Sequence, residues 1–175
     1  MEQQNQRFWH SVSYGLAAGT IAIIVNILLL QLGSRLGLQT GHGGLLKWSV
    51  ALLHLGPIHW QQPPLNSLPA GVWKVAFHFV VGLAMALAYT VILAPVLRRY
   101  FSPLMSGLLY AFAVWVVNAW VILPGLGMGV AGSSAIPLSG MLYFAFAHTV
   151  FFVLLAELYA KMIAARQTPV QAVTT

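Results

Sequence analysis

Residues 12–32, VSYGLAAGTIAIIVNILLLQL, form a continuous stretch without a charged side chain. A helix of about 20 apolar residues spans the roughly 30 Å of hydrocarbon in a bilayer. Because no water is available there to bond the backbone, such a segment must pair its amides within an α-helix. This stretch therefore predicts a transmembrane helix, and it sets the class of the protein.

Three further segments have the same character, at residues 72–97, 104–126 and 138–163. Pro103 and Pro137 stand where the third and fourth helices should begin, because proline is well tolerated in the first turn of a helix. The four segments predict an all-α integral membrane protein with a single membrane domain over residues 1–175.

Residues 33–71 form the one long excursion between predicted spans, and they are rich in Gly and Pro. Within them lies GLLKWSVALLHLG, residues 44–56, which at this length is too short to span a membrane. Its large apolar residues recur at helical spacing on one face, which is typical of a helix lying in the membrane interface. We expect a short interfacial helix in this outer loop, between helices one and two.

The distribution of Lys and Arg predicts the orientation of the helices. One side of the membrane receives five basic residues and the other receives three; they are Arg7, Arg98, Arg99, Lys161 and Arg166 against Arg35, Lys47 and Lys74. The richer side is expected to face the cytoplasm, with both termini, in a bacterial inner membrane. The same residues account for the basic net charge, so the expected partner is the lipid bilayer and not a nucleic acid.

The composition excludes several kinds of enzyme. Hydrophobic residues make up 59% of the chain and charged residues 6%, against roughly 25% charged in soluble domains. The acidic residues are Glu2 and Glu157, and there is no Asp or Cys. Carboxylate-pair glycosidases, two-metal phosphoryl transfer, Ser-His-Asp triads and thiolate chemistry all need groups that are missing here. We therefore expect a protein that is not an enzyme and has no cofactor.

Polar residues within the spans recur in pairs that are eleven positions apart. The pairs are Gly15 and Asn26, His78 and Tyr89, Gly107 and Asn118, and His148 and Tyr159. Eleven residues make about three helical turns, so each pair lies on one face of its helix. This pattern predicts two helical hairpins in the same orientation, arranged as a parallel repeat.

Four of these residues form the predicted site, which we call the polar layer: Asn26, His78, Asn118 and His148. Counted along their helices, they lie roughly 9–15 Å below the outer edge of the membrane. Polar side chains at this depth either hold helices together or face a cavity. The two imidazoles can in addition bind a metal or carry protons.

Four other residues are expected to support this layer. Tyr89 and Tyr159 lie three turns from the two histidines, towards the cytoplasmic side. Glu157 precedes Lys161 by four residues, which is the favourable order for an ion pair on a helix. Glu157 is expected to anchor the interface, with a station in a proton path as the alternative.

Three functions follow from these residues. The polar layer could bind or pass protons or a small solute in a non-enzymatic membrane protein. The chain could instead be a structural or accessory subunit that contacts other membrane subunits. As a third possibility, His78 and His148 could be the axial ligands of a b-type haem. No other metal site is expected.

Several short motifs resemble the YagU-like bacterial inner-membrane family of unknown function. They are Tyr14-Gly15-Leu16-Ala17-Ala18, His78-Phe79-Val80-Val81-Gly82, Ser106-Gly107-Leu108-Leu109, Pro124-Gly125-Leu126, and Ala147-His148 leading to Glu157. The resemblance covers roughly residues 14–163 and implies a four-helix inner-membrane protein without a defined reaction. The family often has a histidine where this chain has Asn118, which leaves one titratable group fewer in the polar layer.

Overall fold

The computed structural model describes residues 2–40 and 70–167. Over these residues the chain is all helical, and four of its helices are long and apolar enough to cross a membrane. Helix α1 spans Glu2–Arg35, α2 residues 70–97, α3 residues 103–125, and α4 Leu138–Gln167. The predicted set of four membrane helices is confirmed.

The helices extend beyond the segments that hydropathy marks. Helix α1 begins at Glu2, ten positions before the predicted start, and α4 continues to Gln167. Hydropathy detects the part of a helix that lies in hydrocarbon, whereas intrahelical hydrogen bonding continues through polar residues outside it. The predicted interfacial helix at 44–56, and most of the 33–71 excursion, lie outside the described residues. The repeated hairpins stay a prediction.

Successive helices run antiparallel, so the bundle has two ends. The proximal end holds the start of α1, the turn between α2 and α3, and the end of α4. The distal end holds the other helix ends, where α2 and α4 begin. A short 3₁₀ turn, Val130–Gly132, lies in the distal connection between α3 and α4.

Two π-helical segments interrupt the helices just before prolines. They are Ala88–Leu93 in α2, ahead of Pro95, and Asn118–Ile122 in α3, ahead of Pro124. A proline ring crowds the carbonyl four residues earlier and offers no N–H to it. Widening the preceding turn, so that Leu123 N–H bonds Asn118 O, relieves this crowding. Both helices therefore continue past positions at which proline would otherwise end or kink them.

The proximal half of the bundle is closely packed. Helix α4 lies against both α1 and α3, and α1 also lies against α2. Tyr89, Phe152 and Leu155 are fully buried in this half. The ring of Tyr110 stacks on Tyr89 and meets Phe152 edge-on, with centroids 5.7 and 4.6 Å away. Aromatic pairs at such distances add to the free energy gained by burial.

Large apolar side chains cover the outside of the bundle. Val80, Ile92, Phe112 and Trp120 are all more than half exposed. A soluble monomer rarely exposes such a continuous apolar surface. This surface fits contact with the acyl chains of a bilayer.

We expect Gly107→Ala to destabilise the bundle, because α3 approaches the α4 backbone closely at this glycine. A Cβ atom there would lie 2.9 Å from both Phe152 O and Val153 Cα, and backbone atoms cannot rotate away. Overpacking of this kind costs about 1–3 kcal/mol. Thermal unfolding in mild detergent measures the loss. Gly71→Ala is the matched control, because a Cβ atom at Gly71 has no neighbour within 4 Å. Equal melting temperatures for the two variants would contradict the prediction.

Candidate functional site

A cavity of about 470 Å³ lies between the four helices in the distal half of the bundle. All four residues of the polar layer line it: Asn26, His78, Asn118 and His148. Each comes from a different helix, so all four helices contribute to its wall. Its size is in the range of pockets that hold small-molecule ligands.

Asn26 joins three of the helices through its side-chain amide. The amide is 1% exposed, and its Nδ2 donates to the carbonyl of Ala147 on α4 at 2.8 Å. Its Oδ1 lies 2.8 Å from Nε2 of His78 on α2. Oδ1 has no hydrogen to donate, so it accepts and Nε2 of His78 carries the hydrogen. Asn26 therefore fixes the position of His78 and keeps a hydrogen on its Nε2.

His148 is oriented by its own helix. Its Nδ1 lies 2.8 Å from the carbonyl of Phe144, and a carbonyl can only accept, so Nδ1 carries the hydrogen. The Phe144 ring packs against the imidazole with centroids 4.1 Å apart. The His78 and His148 rings are nearly perpendicular, with centroids 6.0 Å apart. The two imidazoles thus lie at the same level of the bundle, with His78 donating from Nε2 and His148 from Nδ1.

Asn118 differs from Asn26 in its surroundings. It is half-buried and begins the π-helical segment of α3. Among the residues that the structure describes, no hydrogen bond involves its side-chain amide. It lines the main cavity and also a second cavity of about 20 Å³ beside the distal connection. The wall at Asn118 therefore offers an amide that the bundle does not use to join its helices.

The four supporting residues lie outside the cavity. Tyr89 OH lies 2.7 Å from Ser106 Oγ, and Tyr159 OH donates to Thr90 O at 3.2 Å. These bonds belong to the packed proximal half. Glu157 is half-buried and Lys161 is exposed, and neither lines the cavity.

Sequence reasoning missed four polar residues of the cavity wall: Gln31, Lys74, Tyr110 and Thr149. Helical spacing could have found two of them. Lys74 precedes His78 by one turn on the same face of α2, and Tyr110 precedes Asn118 by two turns on the same face of α3. The count of basic residues assigns Lys74 only to the outer side of the membrane, so it does not predict a place beside the polar layer.

A haem held through Nε2 of both imidazoles would conflict with the hydrogen bond between His78 and Asn26. A six-coordinate b-type haem needs one free ring nitrogen from each histidine, aimed at a common iron. Nε2 of His78 is already bonded to Asn26, and using it would break the bond that joins α1 to α2. Over residues 2–40 and 70–167, no three His or Glu side chains are grouped as metal ligands either.

We expect Asn26→Leu to destabilise the protein more than Asn118→Leu does. The first change removes two hydrogen bonds. The buried carbonyl of Ala147 then loses the donor Nδ2, and the Nε2–H of His78 loses the acceptor Oδ1. Hydrogen bonds between membrane helices are worth about 0.6 kcal/mol on average, and an unsatisfied buried group costs about 1–3 kcal/mol. Thermal unfolding in mild detergent should therefore separate the two variants by several degrees. A larger loss for Asn118→Leu would contradict this account.

We expect the purified protein to have no Soret absorption band, because His78 keeps Nε2 on Asn26. The visible spectrum of protein purified from cells supplied with haem precursor is the measurement. Adding haemin to the purified protein should produce no bis-imidazole spectrum. A Soret band that disappears in both His78→Ala and His148→Ala would establish the haem alternative instead.

No protein-family model, curated protein or solved structure matches this chain. The resemblance to the YagU-like family therefore stays a prediction.

Proposed function

We propose that this chain is a non-enzymatic membrane protein that binds a small molecule in the cavity at its polar layer. The observation that carries the proposal is the cavity itself, about 470 Å³ in volume and lined by Asn26, His78, Asn118 and His148 from four helices. Most of the remaining wall is aliphatic or aromatic. Ligand sites commonly combine an apolar wall with a few convergent polar groups.

Binding is favoured over passage through the bundle. The lining residues of the cavity that lie furthest towards the proximal half include Met85, Tyr110 and Phe152. Beyond these residues Tyr89 and Leu155 are fully buried. A solute or a chain of water molecules that crossed the bundle would have to displace this packed aromatic region. Transport of protons or a small solute across the membrane is therefore less favoured than binding.

The expected orientation of the helices decides on which side of the membrane the cavity lies. With both termini in the cytoplasm of a bacterial inner membrane, the distal half of the bundle lies in the outer leaflet. A bound molecule would then come from that leaflet or from the periplasm. The sequence has two Glu, no Asp and no Cys, so it offers few acid–base or nucleophilic side chains to act with the polar layer. This composition supports binding over catalysis.

Filling the cavity should remove the bound molecule without unfolding the protein. Val114 lines the cavity on α3, so Val114→Trp occupies space that a ligand needs. We expect mass spectrometry of organic extracts to find a small molecule in the purified protein, and at least about tenfold less of it in Val114→Trp.

Val121→Trp is the matched control, because Val121 is on the same helix, is 55% exposed and does not line the cavity. It should retain the molecule in full. Extracts that contain no molecule beyond those of a detergent blank, or that are equally depleted in both variants, would refute the proposal.

A further inference from the structure

Asn118 lies in the partition between the main cavity and the smaller one. Three residues line both cavities: Trp115 and Asn118 of α3, and Phe144 of α4. The amide of Asn118 therefore lies beside an indole ring and a phenyl ring. The smaller cavity, at about 20 Å³, has room for about one water molecule. An organic molecule that bonds Asn118 must therefore lie in the main cavity.

The amide of Asn118 can both donate and accept hydrogen bonds. Its Nδ2 carries two hydrogens and its Oδ1 accepts, and neither atom makes a hydrogen bond within the part of the chain that the structure describes. Both amide atoms of Asn26 are engaged, Nδ2 with Ala147 and Oδ1 with His78. Of these two asparagines, Asn118 is the one that can bond a ligand without giving up a bond between helices.

The hydroxyl groups of the cavity wall have already used their hydrogens. Tyr110 OH donates to Met85 O at 3.2 Å, and Thr149 Oγ1 donates to Ala145 O at 2.8 Å. Because a hydroxyl group has one hydrogen, each of these oxygens can only accept from a ligand. A ligand carbonyl could use Nδ2 of Asn118 alone, whereas a ligand hydroxyl can accept from Nδ2 and donate to one of the oxygens. The wall therefore favours a ligand that carries a hydroxyl group.

Aromatic rings form much of the wall around this amide. Phe151 and Phe152 of α4 line the main cavity in addition to Trp115, Phe144 and Tyr110. Aromatic rings that pack against each other gain free energy beyond that of burial alone. The wall therefore favours a ligand with an aromatic ring over one with an alkyl chain.

We infer that the main cavity binds an uncharged phenol, a molecule with a hydroxyl group on an aromatic ring, and that Asn118 selects it. This inference rests on the proposed function and names its ligand class. The hydroxyl group bonds the Asn118 amide, and the ring packs against Trp115 and Phe144. A phenol has a pKa of about 10, so at neutral pH it enters an apolar cavity without carrying a charge.

The test compares 2-naphthol with its methyl ether, 2-methoxynaphthalene, which has the same two rings but no hydrogen to donate. The full-length protein is placed in phosphatidylcholine nanodiscs, and NMR follows the isotope-labelled side-chain amides of its four asparagines, Asn5, Asn26, Asn66 and Asn118. Partition of each probe into protein-free nanodiscs is measured separately, and the dissociation constants are corrected for it.

The signals of Asn26 and Asn118 should report binding, because both residues line the cavity, whereas Asn5 is exposed at the proximal end and its signal should not shift. We expect 2-naphthol to bind about tenfold more tightly than the ether, because the ether leaves a buried acceptor unpaired. The saturated analogue decahydro-2-naphthol keeps the hydroxyl group but has no aromatic ring, and it should bind about fivefold more weakly than 2-naphthol.

Removing the amide should abolish the preference for the hydroxyl group. In Asn118→Leu we expect 2-naphthol to bind about tenfold more weakly and the ether to bind as before, with Asn26 as the reporter in both titrations. Asn5→Leu is the matched control and should keep the preference. Val114→Trp should prevent binding of both probes, whereas Val121→Trp should bind them as the wild type does.

The molecule in organic extracts of the purified protein gives an independent check. Treatment with acetic anhydride should add an acetyl group to its hydroxyl, and mass spectrometry detects the added mass. A bound molecule without a phenol would overturn the ligand class while supporting the proposed function.

The titrations distinguish the two proposals in the same way. Equal binding of 2-naphthol and its ether to the wild type, or a preference that survives Asn118→Leu, would overturn the ligand class, while loss of a co-purified molecule in Val114→Trp would still support the proposed function. Probe binding that Val114→Trp does not reduce, together with no bound molecule in extracts of the wild type, would overturn both.

Discussion

The hydrogen-bonded amide of Asn26 is the constraint on which the distal half of the bundle depends. In hydrocarbon a polar group that lacks a partner costs free energy, so each buried amide must find both a donor and an acceptor within the protein. Asn26 meets this requirement by donating to the backbone of α4 and accepting from His78 on α2. A rotation of α1, α2 or α4 about its axis would break one of these bonds. The polar layer therefore fixes the relative rotation of three helices, which apolar packing alone leaves adjustable.

The proximal half is stabilised differently. Small residues allow close approach there, as at Gly107 against the backbone of Phe152, and stacked aromatic rings fill the remaining space. The hydroxyl groups in this region are tied to neighbours, Tyr89 to Ser106 and Tyr159 to Thr90. One half is thus packed and the other encloses a cavity.

The four spans could be predicted from the sequence because hydropathy measures transfer into lipid, which is the dominant force on such a chain. The polar layer could also be predicted, since buried polar residues in membrane helices are few and their depth follows from helical rise. The bond from Asn26 to the Ala147 carbonyl could not, because it depends on how α1 and α4 are rotated and shifted relative to one another. The position of Lys74 in the cavity wall could not be predicted for the same reason. The sequence gives its charge, but the direction of its side chain depends on how α2 packs against its neighbours.

The two asparagines show how similar positions in a sequence acquire different roles. Asn26 and Asn118 each follow a glycine by eleven residues, and the sequence treats them alike. Asn26 sits in a regular helix and joins three elements, whereas Asn118 begins a π-helical segment ahead of Pro124 and bonds none of the described side chains. The wider π turn changes the direction in which the residues that follow it point, compared with a regular helix. Asn26 therefore uses its amide to join helices. Asn118 leaves its amide at the cavity wall, where a ligand could bond it without breaking a hydrogen bond between the described helices.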